Sequence, residues 1–431
     1  MAKSYVGFGF GPIQSGLFLF EAYRSGNFSR YVVSEVDAGL VAAIRENGGA
    51  YTVNIARRDR VDRFTVRGLE VFNPQVPADR EALVSAIAAS DEMATALPSV
   101  AVYTAGNKGS AVRLLCDGLA KRSAPLPTII YAAENHNHAA EILTERLAAA
   151  GCGKLAQVQV LNTVIGKMSG VISDAATVAR LGLATLTPRL QRAVLVEEFN
   201  RILVSQLQLQ GCRRGIEVFV EKPALLPFEE AKLYGHNAIH AMIAYLAELK
   251  GLITIAGAGQ DPWIMGRARK AFLAESGAAL VRRHKALNDP LFTPEGFQGY
   301  ADDLLARMVN PQLNDLVARV SRDHVRKLGY DDRLYGAMRL ALDCGLRPVN
   351  LALGAAAGVA SLIRRREEAG GLLPELPPNP AALTREALGG LLLALWQGKT
   401  DHHAETLAQL TWEGLQALHE SGLLTEEKRV S

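Results

Sequence analysis

The chain has no pair of cysteines spaced as C-x-x-C. Cys116, Cys152, Cys212 and Cys344 stand singly and far apart, so neither a zinc knuckle nor a disulfide framework is supported. No run of roughly 18 apolar residues exists; the longest, residues 351–363, suits a buried helix better than a bilayer span. Charge of one sign is not in excess either. Lys and Arg number 47 against 44 Asp and Glu, and the resulting +3 is too small to argue for nucleic acid or an anionic membrane as partner. No internal repeat with a period of roughly 20 to 50 residues is visible, which disfavours a solenoid. The N-terminal MAKSYVGFGFG enters a strand at once, leaving no room for a signal peptide, and the expected compartment is the cytoplasm. No dimer-forming stripe stands out, so a monomer or weak oligomer is expected. What is present, 49% hydrophobic and 21% charged residues, excludes wholesale disorder. At roughly 150 residues per domain, the 431 residues make two to three domains.

The first 40 residues alternate strand and helix. Residues 5–8 are a short apolar run ending in glycines, as a buried parallel strand would be. A helix follows over 13–23, a turn over 25–29, a strand over 31–33, and a helix over 38–46 that Gly48-Gly49 ends. Further buried-strand runs are read at 100–103, 128–132 and 158–161, with helices at 109–121 and 139–150 between them. Runs at 193–196 and 216–220 extend that sheet or close the domain. Strands alternating with helices predict a parallel α/β sheet. Beyond Pro223 nearly every segment from 228 to 423 reads as helix, and a loop carrying four prolines, 370–380, joins two helical blocks. The expected architecture is α/β: a Rossmann-type domain over 1–222, then a mostly α-helical domain over 223–431.

The run Gly7-Phe8-Gly9-Phe10-Gly11-Pro12-Ile13-Gln14-Ser15-Gly16 lies between the first strand and the first helix. Glycines there let the backbone approach a pyrophosphate, which the helix N-terminus binds through free N–H groups and its positive dipole end. Gln14 stands where the third glycine of G-x-G-x-x-G would be. Glu35 closes the second strand, where an acidic side chain accepts hydrogen bonds from the adenosine ribose and repels a 2′-phosphate. No Arg or Lys follows until Arg45, so NAD is the expected cofactor rather than NADP. The competing reading is a plain strand-to-helix turn with a solvated glutamate.

The second informative segment is Phe-Glu-Glu-Ala-Lys-Leu-Tyr-Gly-His-Asn over 228–237, running into an apolar helix. At about 100° per residue, Lys232, His236 and His240 fall within roughly 80° of arc, Glu229 lies among them, and Asn237 sits roughly 60° beyond His240. Three readings compete. The polar residues are a solvated helix start with satisfied core groups; or His236 and His240, at i and i+4, bind a metal; or the set performs hydride-transfer chemistry. The zincin pattern needs Glu after the first His and finds Asn237 instead. Oxidising a secondary alcohol needs a base for the hydroxyl proton and donors for the developing alkoxide, and a desolvated lysine beside Asn237 and His240 meets both needs.

Lys232-x-x-x-x-Asn237-x-x-His240 resembles the catalytic motif of the polyol-specific long-chain dehydrogenases, the mannitol dehydrogenase family. The similarity extends over most of the chain: the glycine run with Glu35, Tyr103-Thr104-Ala105-Gly106, Glu134-Asn135, Glu197-Glu198-Phe199, Asn310-Pro311, Arg326-Lys327-Leu328 and Asp332-Arg333-Leu334. It looks most like the mannitol-1-phosphate 5-dehydrogenase branch. The resemblance implies a zinc-independent mechanism. Lys232 would be the general base, Asn237 and His240 would polarise the reacting oxygen with Asn135 as a second donor, and Glu229 or Glu230 would carry protons to solvent. Gly7, Gly9, Gly11, Ile13, Gln14 and Glu35 would hold NAD, with Thr104, Ala105 and Asn135 near its nicotinamide half. The implied substrate is a small molecule, a hexitol phosphate oxidised to a ketose phosphate or the reverse. Asn162-Thr163-Val164-Ile165-Gly166-Lys167 departs from the Val-Asp-Arg usual in that region, which loosens the substrate assignment.

A phosphorylated substrate needs cations, and Arg322, Arg326, Lys327 and Arg333 cluster in sequence; a solvated basic helix face is the alternative. His136 and His138 read as loop residues, and His402-His403, pointed about 100° apart by a helix, receive no function. Three rivals remain. A β-hydroxyacid dehydrogenase spaces Lys and Asn four apart, not five. An iron-dependent alcohol dehydrogenase would respond to chelators. A dinucleotide-binding regulator would bind cofactor without turnover, a reading that Gln14 and Gly166 motivate.

Overall fold

The computed structural model describes residues 3–123, 126–153, 155–367 and 376–424. The start of the proline-bearing loop, 370–375, lies outside them. The chain divides into two compact units, Met1–Leu226 and Pro227–Ser431.

The first unit is built on an eight-stranded sheet. Its strands are β1 (Lys3–Phe8), β2 (Phe28–Ser34), β5 (Leu69–Phe72), β6 (Glu92–Thr95), β7 (Thr128–Ala132), β8 (Val158–Val164), β11 (Leu203–Ser205) and β12 (Val220–Lys222), in the order β12-β11-β8-β7-β6-β1-β2-β5. The six from β8 to β5 are mutually parallel. Counted along the chain they stand 3-2-1-4-5-6, the doubly wound order in which ligands bind where the strand order reverses. That point lies between β1 and β6. Buried apolar residues on both strand faces explain why these segments read as uninterrupted runs, as in Thr128–Ala132, all five of whose residues are buried.

Three expectations fail here. Residues 100–103 are not a strand but a 3₁₀ turn, Val100–Thr104; the strand that precedes it is β6, whose polar Glu92 and Thr95 concealed it. Only the last residue of 216–220 is in a strand, β12. The run at 193–196 forms β10 (Ala193–Glu197), which extends a separate four-stranded sheet with β3 (Tyr51–Ala56), β4 (Val61–Val66) and β9 (Ser169–Ile172), in the order β4-β3-β10-β9. The hairpin β3–β4 went unread because Arg57 to Arg60 and the polar residues of β4 resemble a solvated loop.

The second unit is helical. Leu226–Glu230, Ala231–Asn237 and Ala238–Leu249 follow one another as a continuous rod whose middle section is a π-helix. The helix Val349–Arg364 is buried from Asn350 to Ile363 and carries the longest apolar run. Its N-terminus is held by a buried anion: Glu275 accepts bonds from the backbone N–H of Asn350 (2.8 Å) and Leu351 (2.8 Å) and from Asn350 Nδ2 (2.7 Å). Burial raises that carboxyl's pKa, while the helix amides it caps pull the other way. Among the described residues no helix is long and apolar enough to cross a membrane.

Candidate active site

In the first unit a cavity of about 490 Å³ opens at the β1/β6 reversal, and Gly9, Phe10, Gly11, Ile13, Ser34 and Glu35 are among its lining residues, together with Ala96, Leu97 and Ala105. Gly9 has φ +81°, a left-handed conformation that favours glycine, and a Cβ there would come within 3.0 Å of the Ala96 carbonyl. The chain therefore turns sharply as it leaves β1 and presents backbone to the cavity. Glu35 follows β2 directly; its Oε1 accepts from the Asp37 N–H at 2.8 Å. A glycine turn, a mostly apolar lining and one carboxylate fit the adenosine half of a dinucleotide.

Gln14 does something other than face a pyrophosphate. Its side chain is fully buried, and Nε2 donates to Tyr5 Oη at 2.7 Å. The space it occupies is the space a side chain on Gly7 would take, since a Cβ there would stand 1.9 Å from that nitrogen. Gly7 is thus matched to Gln14, and neither lines the cavity. Thr104 and Asn135 do not line it either; Thr104 Oγ1 accepts from Arg146 at 3.3 Å. Glu134, whose role the sequence did not reveal, is a brace. Its buried carboxylate accepts from Thr95 Oγ1 (2.9 Å), the Leu97 N–H (2.9 Å) and the Tyr103 hydroxyl, so it anchors both ends of the cavity loop. The available signal was an acid set directly after an apolar strand. Asn162, in the departing segment, accepts from the Ala140 N–H at 2.8 Å and donates to Glu141, which ties it to a helix start.

In the second unit the π-helical turn Ala231–Asn237 carries Lys232, His236 and Asn237. The fixed 100° step does not hold there. In a π-turn the hydrogen bond runs to the fifth residue rather than the fourth, so Asn237 comes round to the face of Lys232. Burial destabilises the Lys232 ammonium and lowers its pKa to about 8; Glu229 opposes that shift and Arg333 adds to it. Glu229 is buried beside the lysine, whereas Glu230 faces His284 Nε2 at 2.7 Å. Of the two proposed proton carriers, only Glu229 acts on Lys232. His236 is buried and its pKa falls well below the usual imidazole range, through burial first and then the charges of His240, Arg307, Lys232 and Arg333.

His240 has a partner that the sequence did not reveal. Its Nε2 stands 3.0 Å from Asp315 Oδ2, close enough for an ion pair though the ring N–H is out of line for a hydrogen bond. Burial pushes the Asp315 carboxyl up, but His240 and Arg319 outweigh it and hold its pKa below the usual range. Arg319 donates to Oδ1 through both Nε (2.9 Å) and Nη2 (2.6 Å). The backbone at Asp315 is pinned by Ile255 N–H to Asp315 O, 2.9 Å. The His240–Asp315 pairing spans 75 residues of chain, beyond the reach of any periodicity.

Three of the four cations act electrostatically on the fourth, Lys327. Burial lowers the Lys327 ammonium to a pKa of about 8, and Arg333, Arg326 and Arg322 add to it, with Asp323 opposing. Lys327 Nζ donates to the Val320 carbonyl; Arg326 pairs with Asp323 (2.6 Å) and Asp332 (3.4 Å); Arg333 pairs with Asp332 (2.7 Å). Arg333 acts on both Lys327 and Lys232, which joins the cation group to the lysine turn.

Comparison with known proteins bears on the family and the fold. Residues 224–392 match the family model "Mannitol dehydrogenase C-terminal domain". The mannitol-1-phosphate 5-dehydrogenase of Halalkalibacterium halodurans is 30% identical over 366 residues, 84% of this chain and 89% of that protein. The protein of the same name from Shouchella clausii is 32% identical over 331 residues, 75% and 80% of the two chains. Among solved structures, Pseudomonas fluorescens mannitol 2-dehydrogenase, in a ternary complex with NAD and D-mannitol, has the same fold at 15% identity, with a TM-score of 0.73 over 98% of this chain and 93% of that one. A substrate-free D-sorbitol dehydrogenase gives 0.75 at 17% identity, over 98% and 94%. The chain belongs to the mannitol dehydrogenase family.

Proposed function

We propose that this chain is a metal-independent dehydrogenase that interconverts a polyol phosphate and a ketose phosphate of the mannitol 1-phosphate and fructose 6-phosphate type. What supports the reading is the π-turn that carries both Lys232 and Asn237, where burial loosens the Lys232 proton to a pKa of about 8. NAD, when bound, supplies the hydride acceptor. Lys232 takes the hydroxyl proton of the alcohol, Asn237 and His240 hold the reacting oxygen, and Asn135 is assigned as the second donor to it. Glu229 sits beside the amine and passes its proton on. Arg322, Arg326, Lys327 and Arg333 receive the phosphate. The 1–222 and 223–431 division assigns cofactor to the first part and substrate chemistry to the second.

The deciding assay follows NADH oxidation with fructose 6-phosphate beside fructose and a hexuronate, with and without EDTA. Chelator-resistant turnover on the phosphate supports the proposal; turnover on the unphosphorylated sugars alone moves the substrate and keeps the chemistry. That second reading has an observation in its favour: Arg326 and Arg333 already have carboxylate partners in Asp323 and Asp332.

Two variants probe the parts. Glu35→Ala is expected to erode the preference for NADH over NADPH, because the carboxylate that repels a 2′-phosphate is gone; unchanged selectivity takes Glu35 out of the ribose site. Asp315→Asn keeps the shape and removes the charge that faces His240. Turnover is expected to fall by about ten- to hundredfold with NADH affinity unchanged. Equal losses in both would make Asp315 a folding residue instead.

A further inference from the structure

Consecutive histidines on a helix diverge, but His402 and His403 are not on one. They occupy the turn before the helix Ala404–Glu420, and their ring centroids lie 3.9 Å apart. His403 Nε2 stands 2.8 Å from Oδ1 of Asp343, the last residue of the helix Arg333–Asp343. One ligand atom from each of the three residues lies within 4.8 Å of the other two. Among the described residues they are the one such set of three histidine, cysteine or acidic side chains.

We propose that Asp343, His402 and His403 bind one divalent transition-metal ion of the zinc type. Two imidazole nitrogens and a carboxylate oxygen form a borderline donor set that suits zinc, cobalt or nickel, whereas magnesium and calcium demand oxygens. The turn is held in place from behind. The His403 N–H donates to Asp401 Oδ1 at 2.8 Å, the other oxygen of Asp401 accepts from Arg339 at 3.0 Å, and the Asp401 N–H donates to Tyr330 Oη at 3.0 Å. This support leaves the two rings presented together, and an ion entering between them and Asp343 needs only the His403–Asp343 contact to open. Asp343 and His402 are exposed, so water completes the coordination shell. The ion would clamp the end of one helix to the start of another, a structural role outside the chemistry assigned to Lys232. A plain His403–Asp343 ion pair is the simpler account, and it gives His402 no part.

The test is calorimetric titration of the chelator-treated full chain with Zn²⁺, beside His402→Ala and Asp343→Asn. Expected is one ion bound by the wild type, at least about tenfold weaker binding in each variant, and a zinc-dependent rise in melting temperature confined to the wild type. Circular dichroism matching the wild type shows that both variants fold. No zinc bound by the wild type overturns the proposal. So does equal binding by all three proteins, which would mean an adventitious ion only.

Discussion

Lys232→Ala will lower turnover by about two to four powers of ten while NADH binds as before. The size follows from the work the amine does. Without it the hydroxyl proton has only water to go to, and Asn237 and His240 hold the oxygen but cannot take the proton away. The pH dependence gives the same residue a second signature. Alcohol oxidation needs the free amine, so in the wild type its rate rises with pH through about 8 and then levels. Ketone reduction needs the ammonium, so its rate falls as pH passes the same value. Both limbs should vanish in the variant. Lys327 is also loosened to about 8, and the variant separates the two lysines: a limb that survives in Lys232→Ala belongs elsewhere. Turnover at the wild-type level would remove Lys232 as the base.

Arg333→Ala is expected to cost roughly ten- to two-hundredfold in kcat/KM on the phosphorylated ketose, the worth of a charge-assisted hydrogen bond to a phosphate. Fructose should be turned over almost as before. Arg333 also lowers the pKa of Lys232, so its removal should raise the midpoint of the oxidation limb above about 8. The backbone N–H at position 333 still reaches Asp332, which keeps the helix start capped in the variant. A loss of equal size on fructose and on its phosphate would make Arg333 a tuner of Lys232 and not a phosphate ligand.

Local pattern carried the parts of this molecule that depend on neighbours in sequence. β1, β2 and the helix Ala38–Glu46 follow from short apolar runs and glycine stops, and Gly9, Gly11, Ile13, Glu35 and Ala105 do line the cavity at the sheet's reversal. What stayed hidden depends on distant partners. β3 and β10 pair across some 140 residues, and neither the polar β4 nor the charged turn between β3 and β4 announces a second sheet. Asp315 meets His240 from another segment of the chain. Gln14 breaks the glycine pattern of a phosphate loop because in the fold it bonds Tyr5 and fills the space beside Gly7. The histidine pair at 402 was read as if it lay on a helix, whereas the helix begins at Ala404.

The π-helical turn at Ala231–Asn237 bears on how such chains are compared. Such a turn is an α-helix that has absorbed one inserted residue without losing its face. An alignment against a helix with Lys and Asn four apart would therefore need a one-residue gap inside an unbroken helix, a place where gaps are seldom allowed. The count of five, used above to set this chain apart from β-hydroxyacid dehydrogenases, measures the backbone between the two side chains and not the distance between them. A motif written for one spacing would pass over proteins of the other even where the amine and the amide meet the same oxygen.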